Sequence, residues 1–460
     1  MHDPALAFSS DDAEASPPAV PRVPESIADT GLSAGMISDL LIRTLYVQGA
    51  RTGAQLRRVL GLPFSLLDEE LLSLQQRRYV QVRGAGSHGR STYTFELTAE
   101  GRDRAREVME VNQYVGPAPV PLAEYERWVA TQTIRRVRVT KEVIHDGFSH
   151  LVFDDQFLDQ LGPAINSGKS LFLYGHAGNG KTTIAEAIAR MMGGSLYLPY
   201  ALEIEGQIAV LYDPVYHHPL DGTEEDDDGD DLTFLRDSPK HDMRYALIKR
   251  PVVFAGGELT LDQLELQYDA QTKVYQAPAH VKANGGVFII DDFGRQLVRP
   301  RDLLNRWMIP LEKHLDYLAF RSGHKFPVPF DTLIVFATNL NPLELVDEAF
   351  LRRIRYKILV ESPSYEQYKE IFRRCCQARD ILFDPDRVRY IYQQYYERLE
   401  IPPRGCHPRD LVDTLCNVAK YLEVEASLTI DLLDRACKSY FLDMPGGGAS
   451  HLTEPQTFDG

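Results

Sequence analysis

Gly175-His176-Ala177-Gly178-Asn179-Gly180-Lys181-Thr182-Thr183 sets how this chain folds, because of what stands on either side of it. The apolar run Ser170-Leu171-Phe172-Leu173-Tyr174 precedes it, and Ile184-Ala185-Glu186-Ala187-Ile188-Ala189 follows with helical spacing. Strand, glycine-rich turn and helix form the context that the GxxxxGK[ST] spacing requires. Glycines let backbone N–H groups turn inward around phosphate oxygens, the lysine reaches the β- and γ-phosphates, and the hydroxyl holds Mg²⁺. Gly175, Gly178, Gly180, Lys181 and Thr182 fill those positions, and His176, Ala177, Asn179 and Thr183 complete the loop. A helix opening at the lysine also aims its unpaired N–H groups and positive dipole end at the same anion. The expected fold class is therefore α/β with a P-loop nucleotide site.

Further along, Gly286-Val287-Phe288-Ile289-Ile290 ends in Asp291-Asp292. A short continuous apolar run reads as a buried parallel strand. A carboxylate at its end lies near the crevice where open α/β sheets bind ligands. Asp291 is the candidate for holding Mg²⁺ and Asp292 for polarising an attacking water. The bland alternative, two acids capping a strand in solvent, loses weight once the phosphate loop is present.

With these two elements in place, the chain resembles the AAA+ ATPase superfamily. Leu333-Ile334-Val335-Phe336-Ala337-Thr338-Asn339 looks like the family's sensor 1 strand, which makes Asn339 the residue that orients water or reads the γ-phosphate. Asp347-Glu348-Ala349-Phe350-Leu351-Arg352-Arg353-Ile354-Arg355 is similar to the segment bearing the arginine finger, with Arg352 or Arg353 in that role. Gly405-Cys406-His407-Pro408-Arg409-Asp410-Leu411 resembles the start of the lid helix that carries sensor 2, here Arg409. Each arginine alone is an ordinary surface charge; five elements in the family's order, from about Phe148 to Phe441, are specific.

The resemblance implies an AAA+ core, a parallel sheet with flanking helices, followed by a C-terminal helical lid. It also implies hydrolysis of ATP with Mg²⁺ as cofactor. A finger acts on the neighbouring subunit's nucleotide, so the active unit is a homo-oligomeric ring, a hexamer, and a monomer is nearly inert. Such a finger contributes roughly 10³ to 10⁵ in rate in other P-loop NTPases. A helix from about Arg301 to Leu315, then alternation around Ser322-Gly323, predicts a hairpin before sensor 1. That hairpin and Asp291-Asp292-Phe293-Gly294-Arg295 resemble MoxR-like and related branches, nearest to bacterial predicted ATPases with chaperone activity associated with Flp pilus assembly. One departure bears on chemistry: the family normally has Glu where Asp292 stands. A displacement of about 1 Å can cost on the order of 100-fold in rate. Either the backbone compensates or the protein is a slow, nucleotide-gated switch.

The segment 35–112 reads as a separate winged-helix-like domain. Helical spacing over Met36–Val47, from Thr52 and over Leu66–Arg78 is followed by strands Tyr79–Val82 and Thr92–Leu97 around Gly84-Ala85-Gly86-Ser87, and a helix opens at Thr98. A recognition helix presents its N-terminal residues to bases, and here these include Asp68-Glu69-Glu70, with Arg77 and Arg78 at the far end. The wing offers Arg83, His88 and Arg90. Docking of a protein partner is favoured over DNA, and a DNA-associated regulator or loader is the alternative function. The formal net charge of −16 likewise argues against a general nucleic-acid binder.

The remaining divisions are a disordered acidic, Pro-rich tail at 1–34, a stiff linker and connecting helix at 113–147, a core at 148–360, a lid at 361–443 and a flexible tail at 444–460. No apolar run of about 18 residues exists, so no membrane span is expected, and the site of action is the cytoplasm. Cys375, Cys376, Cys406, Cys416 and Cys437 lack paired metal spacing and read as reduced thiols. The acidic run Asp221–Asp231 reads as a solvated loop, and His217, His218 and His241 as ordinary histidines. Arg250-Pro251-Val252-Val253-Phe254 and Gly256–Leu261 are assigned to substrate contact at a ring's pore. The expected function is an ATPase that remodels or assembles a client protein complex.

Overall fold

The computed structural model describes residues 19–84, 86, 89–220, 240–345 and 348–441. The acidic loop at 221–231, the tail at 444–460, Ala85, Ser87 and His88 of the expected wing, and Asp347 lie outside the described residues.

Five short apolar runs build the central sheet: β1 Leu171–Tyr174, β2 Val252–Ala255, β3 Val287–Ile290, β4 Leu333–Thr338 and β5 Tyr356–Leu359. Their order is β2-β3-β4-β1-β5, and every neighbouring pair is parallel. Side chains alternate between faces along each strand. Phe172, Phe288, Ile290, Ile334 and Phe336 pack on one side with Trp307. Leu171, Leu173, Val287, Ile289, Leu333 and Val335 pack on the other with Ile184 and Ile188 of α1 Lys181–Met191, the helix after the phosphate loop. Burial on both faces is why these strands read as continuous apolar runs. The register aligns Tyr174 with Thr338 and Leu359, and Ile290 with Phe336. The residues following β1, β3, β4 and β5 thus emerge along one edge.

Val252–Ala255 is the outer strand of the core sheet, paired along its length with β3, so its backbone serves the sheet. The expected helix and hairpin follow β3 as Pro300–Lys313 and as Leu315–Ala319 paired with Lys325–Pro329.

A second five-stranded sheet is made by Val120–Pro121, Ala201–Ile204, Gln207–Val210, Val274–Gln276 and Gln267–Asp269, in that spatial order. Val120 and Ala118 are fully buried, and the Ala118 N–H donates to Leu60 O at 2.7 Å. The Pro-rich stretch expected as a linker thus ends in a two-residue edge strand, a position where a missing proline N–H costs no ladder bond.

The N-terminal segment folds as helices Ala34–Gln48, Gly53–Leu60 and Phe64–Gln76, then strands Val80–Gly84 and Thr94–Leu97, then helix Ala99–Val111. Thr52 closes a capping box with Gln55, and Thr98 caps the last helix. A short third strand, Arg51–Thr52, pairs with Thr94–Leu97. The apolar core of this segment runs on into Ala201, Ile208 and Val274 of the second sheet. Gly61, at φ 65°, passes so close that a Cβ there would lie 2.8 Å from Met243 O.

Beside that contact, Arg244 is 1% exposed and donates to both Asp242 oxygens and to Thr30 O. The Asp242 N–H donates to Pro21 O at 3.0 Å. The tail expected to be disordered through residue 34 is thus docked from Pro21 onward within the described chain. Its Pro-rich backbone supplies carbonyls to buried donors that would otherwise be orphaned.

The lid consists of α2 Tyr365–Gln377, the helix Pro385–Ile391, α3 His407–Tyr421 and the helix Ile430–Tyr440. Tyr368, Phe372, Leu411, Leu415, Leu433 and Cys437 form its own core.

Candidate functional site

The cleft lies at the edge where β1, β3, β4 and β5 end. Gly175, Gly178 and Gly180 have φ of 142°, 83° and 84°, conformations that L side chains rarely adopt. At Gly175 there is a second reason, since a Cβ would collide with Val360 O. The turn delivers Lys181 as the first residue of α1. Lys181 is 6% exposed, and its Nζ donates to Gly175 O at 3.0 Å, His176 O at 2.9 Å and Asn339 Oδ1 at 2.6 Å. Burial pushes its ammonium below the usual lysine range, against the pull of Asp291 and Asp292.

Around it the sequence-predicted residues assemble into one network. The Thr182 hydroxyl donates to Asp291 Oδ2 at 2.8 Å, and Asn339 Nδ2 donates to Asp292 Oδ1 at 2.9 Å. The Asp292 N–H donates to Asp291 Oδ1 at 2.9 Å. Asp292 itself has φ 48°, a left-handed conformation that Asp and Asn tolerate better than most residues. A buried ammonium beside glycine-turned backbone at a helix N-terminus suits a polyphosphate, and a hydroxyl facing a carboxylate suits Mg²⁺. Thr182 and Asp291 would hold that ion, which when bound neutralises developing phosphate charge.

The cleft has a volume of about 1350 Å³. The cleft brings the cations Lys181, Arg295, Arg374, Arg379 and Arg409 together with the carboxylates Asp154, Asp291, Asp292, Glu361 and Asp413, a mixed lining that suits an anion bound together with a divalent cation. Its apolar end is lined by Leu151, Val152, Phe153 and Phe157 from the chain before β1, and by Ile371 and Val412 from the lid. The rings of Phe153 and Phe157 stack 4.6 Å apart. Lid and core meet here through Arg374, whose Nη1 donates to Ser149 O at 2.7 Å and Leu151 O at 3.2 Å.

Arg409 lines the cleft from α3 and pairs with Asp410 at 3.2 Å. Arg352 and Arg353 are not among the residues that line it; Arg353 faces Glu312 at 3.3 Å. Arg295 was missed as a site residue. Its signal was its place three residues past the acidic pair, where the loop leaving β3 turns back to the cleft. Arg374, Arg379 and the apolar residues carried no motif. His217 is engaged within the fold, accepting from the Asp213 N–H at 2.8 Å and meeting Lys282 O at 2.9 Å, and no cluster of three or more His, Cys, Asp or Glu side chains placed to hold a metal occurs among the described residues. All five cysteines are free thiols.

Residues 364–439, the body of the lid, match the model of a domain of unknown function, DUF8689. A comparison with curated proteins finds no match. Among solved structures, a point mutant of Thermotoga maritima RuvB is 12% identical, with a TM-score of 0.36 over 63% of this chain and 70% of that one. NtrX from Brucella abortus is 14% identical, with a TM-score of 0.39 over 82% and 68%. The RuvB Holliday junction branch migration motor of Thermotoga maritima is 13% identical, with a TM-score of 0.32 over 66% and 72%. Likeness at this level concerns fold alone. Strand order, phosphate loop and lid define an α/β P-loop fold, a parallel sheet with flanking helices, followed by a C-terminal helical lid.

Proposed function

We propose that this chain is a Mg²⁺-dependent ATPase of the AAA+ type that acts in the cytoplasm as a homo-oligomeric ring, a hexamer, to remodel or assemble a client protein complex. The observation that carries the reading is the single network Lys181–Asn339–Asp292 beside Thr182–Asp291 in one cleft at the phosphate loop. In this reading Lys181 and the loop N–H groups bind the phosphates, Thr182 and Asp291 hold Mg²⁺, and Asn339 fixes the Asp292 carboxylate that polarises water. Arg409 adds a cation from the lid. Arg352 or Arg353 serves a neighbour's site, which suits their absence from the lining of their own.

A chaperone-like role is favoured over DNA work by the N-terminal segment. Arg90 is held by Asp68 at 2.7 Å and Gln75 at 3.1 Å, so one of the wing's cations is already engaged within the fold. The test is steady-state ATP hydrolysis against protein concentration, with Lys181→Ala and the Arg352→Ala plus Arg353→Ala double variant beside the wild type. Specific activity that rises with concentration and is lost in both variants supports a ring with a finger in trans. Activity that is independent of concentration and survives the double variant removes that part of the reading.

A further inference from the structure

The phosphate spacing leaves position 179 open, yet Asn179 is 5% exposed and its amide is fully engaged. Oδ1 accepts from the Gly405 N–H at 3.3 Å, and Nδ2 donates to Val360 O at 3.3 Å and Ser362 Oγ at 3.4 Å. One side chain in the phosphate loop therefore joins the exit of β5 to the start of the lid. The neighbouring peptide makes a parallel contact, since the Cys406 N–H donates to Gly178 O at 2.8 Å. There is no slack in this approach: a Cβ on Gly178 would lie 2.6 Å from Cys406 Sγ. Arg404 Nη1 donates to Ser362 Oγ at 2.9 Å and closes the ring of contacts. α3 begins at the residue after Cys406, His407, and carries Arg409 and Val412 into the cleft.

We infer that Asn179 is a positioning residue that couples occupancy of the phosphate loop to the placement of the lid helix α3. The inference rests on the proposed nucleotide site and deepens it. At the base end of the cleft Arg374 ties the lid to Ser149 and Leu151; at the phosphate end Asn179 is the side chain shared by loop, sheet and lid. A loop that tightens around phosphates shifts the 178–179 peptide, and the amide carries that shift to Gly405 because it cannot follow one partner without straining the others. Asn179 sets where Arg409 stands when nucleotide is present, without needing to touch the reacting atoms.

The experiment is amide hydrogen exchange across residues 404–421 of the full chain, with and without Mg²⁺ and a saturating non-hydrolysable ATP analogue, with kcat and KM for ATP measured alongside. In the wild type nucleotide slows exchange at least about fivefold, the lower end of coupling between linked sites. In Asn179→Ala, at nucleotide concentrations that saturate the variant, this slowing is lost and kcat falls more than KM rises. Ser362→Ala, which leaves the loop sequence intact while removing an acceptor of both Asn179 and Arg404, loses part of the slowing. Wild-type slowing in saturated Asn179→Ala overturns the inference and leaves the nucleotide site standing. A wild type that binds no nucleotide overturns the site and the inference together.

Discussion

Asp292→Asn isolates the chemistry of one oxygen. The asparagine keeps the side-chain shape, keeps an Oδ1 able to accept from Asn339 Nδ2 at the 2.9 Å seen for Asp292, and tolerates the φ of 48°. What it removes is the charge proposed to polarise water. A positioned acid or base contributes about 10² to 10⁴ in rate, or about 2.7 to 5.5 kcal/mol of barrier at about 1.36 kcal/mol per tenfold. Stability should change by no more than about 0.5 kcal/mol, as for other exposed substitutions. The expected outcome in steady-state hydrolysis is a kcat at least about 100-fold lower with ATP still bound, measured by titration of a fluorescent nucleotide. Asp292→Glu probes the departure from the glutamate usual in the AAA+ proteins that the sequence resembles. An added methylene must displace either the carboxylate or Asn339, so turnover should fall on the order of 10- to 100-fold. Wild-type turnover in Asp292→Asn would refute the role given to Asp292, and a Glu variant as fast as wild type would refute the claim that the site is fitted to the shorter side chain.

Lys181→Ala should abolish measurable nucleotide binding, because the ammonium that faces Gly175, His176 and Asn339 is the charge placed for the phosphates; calorimetric titration checks this. Asp291→Asn, which weakens the partner of Thr182, should raise the Mg²⁺ concentration needed for half-maximal hydrolysis, and chelation should stop the wild type reversibly. Burial holds His217 at a pKa of about 4 against about 6.5 when unfolded, and its Nδ1 already accepts the Asp213 N–H. The unfolded state therefore takes up the proton first as pH falls through about 6.5. Stability should drop by about 2 kcal/mol between about pH 7 and 5 and level off below about 4, an effect that His217→Gln removes in denaturant titrations at the two pH values. Arg244→Ala leaves Asp242 and Glu124 without their buried counter-charge, so docking of the N-terminal segment should weaken by about 3 to 5 kcal/mol, seen as proteolysis near residues 19–34 that the wild type resists.

The phosphate-loop motif and the residues that gather around it could be read from the sequence alone, because the chemistry proposed for them is local. One turn must hold left-handed glycines, a lysine and a hydroxyl within a few residues, and each acidic or polar partner ends its own buried strand. Gly175 to Thr183, Asp291, Asp292 and Asn339 were all legible for that reason, as were the capped helices of the N-terminal segment, where Thr52 and Thr98 mark the starts. Whatever depends on distant segments meeting came only with the packed chain. Val252–Ala255 and Val120–Pro121 are strands because of the strands beside them, and no propensity in so few residues could say which sheet they join. The docking of the N-terminal tail rests on Arg244, whose partners Thr30 and Glu124 are far away in the chain. The arginines that face the cleft differ from surface arginines in nothing but position, and position is set by packing. The same holds for Asn179, whose three partners at 360, 362 and 405 come together only when the sheet edge and the lid close on the loop.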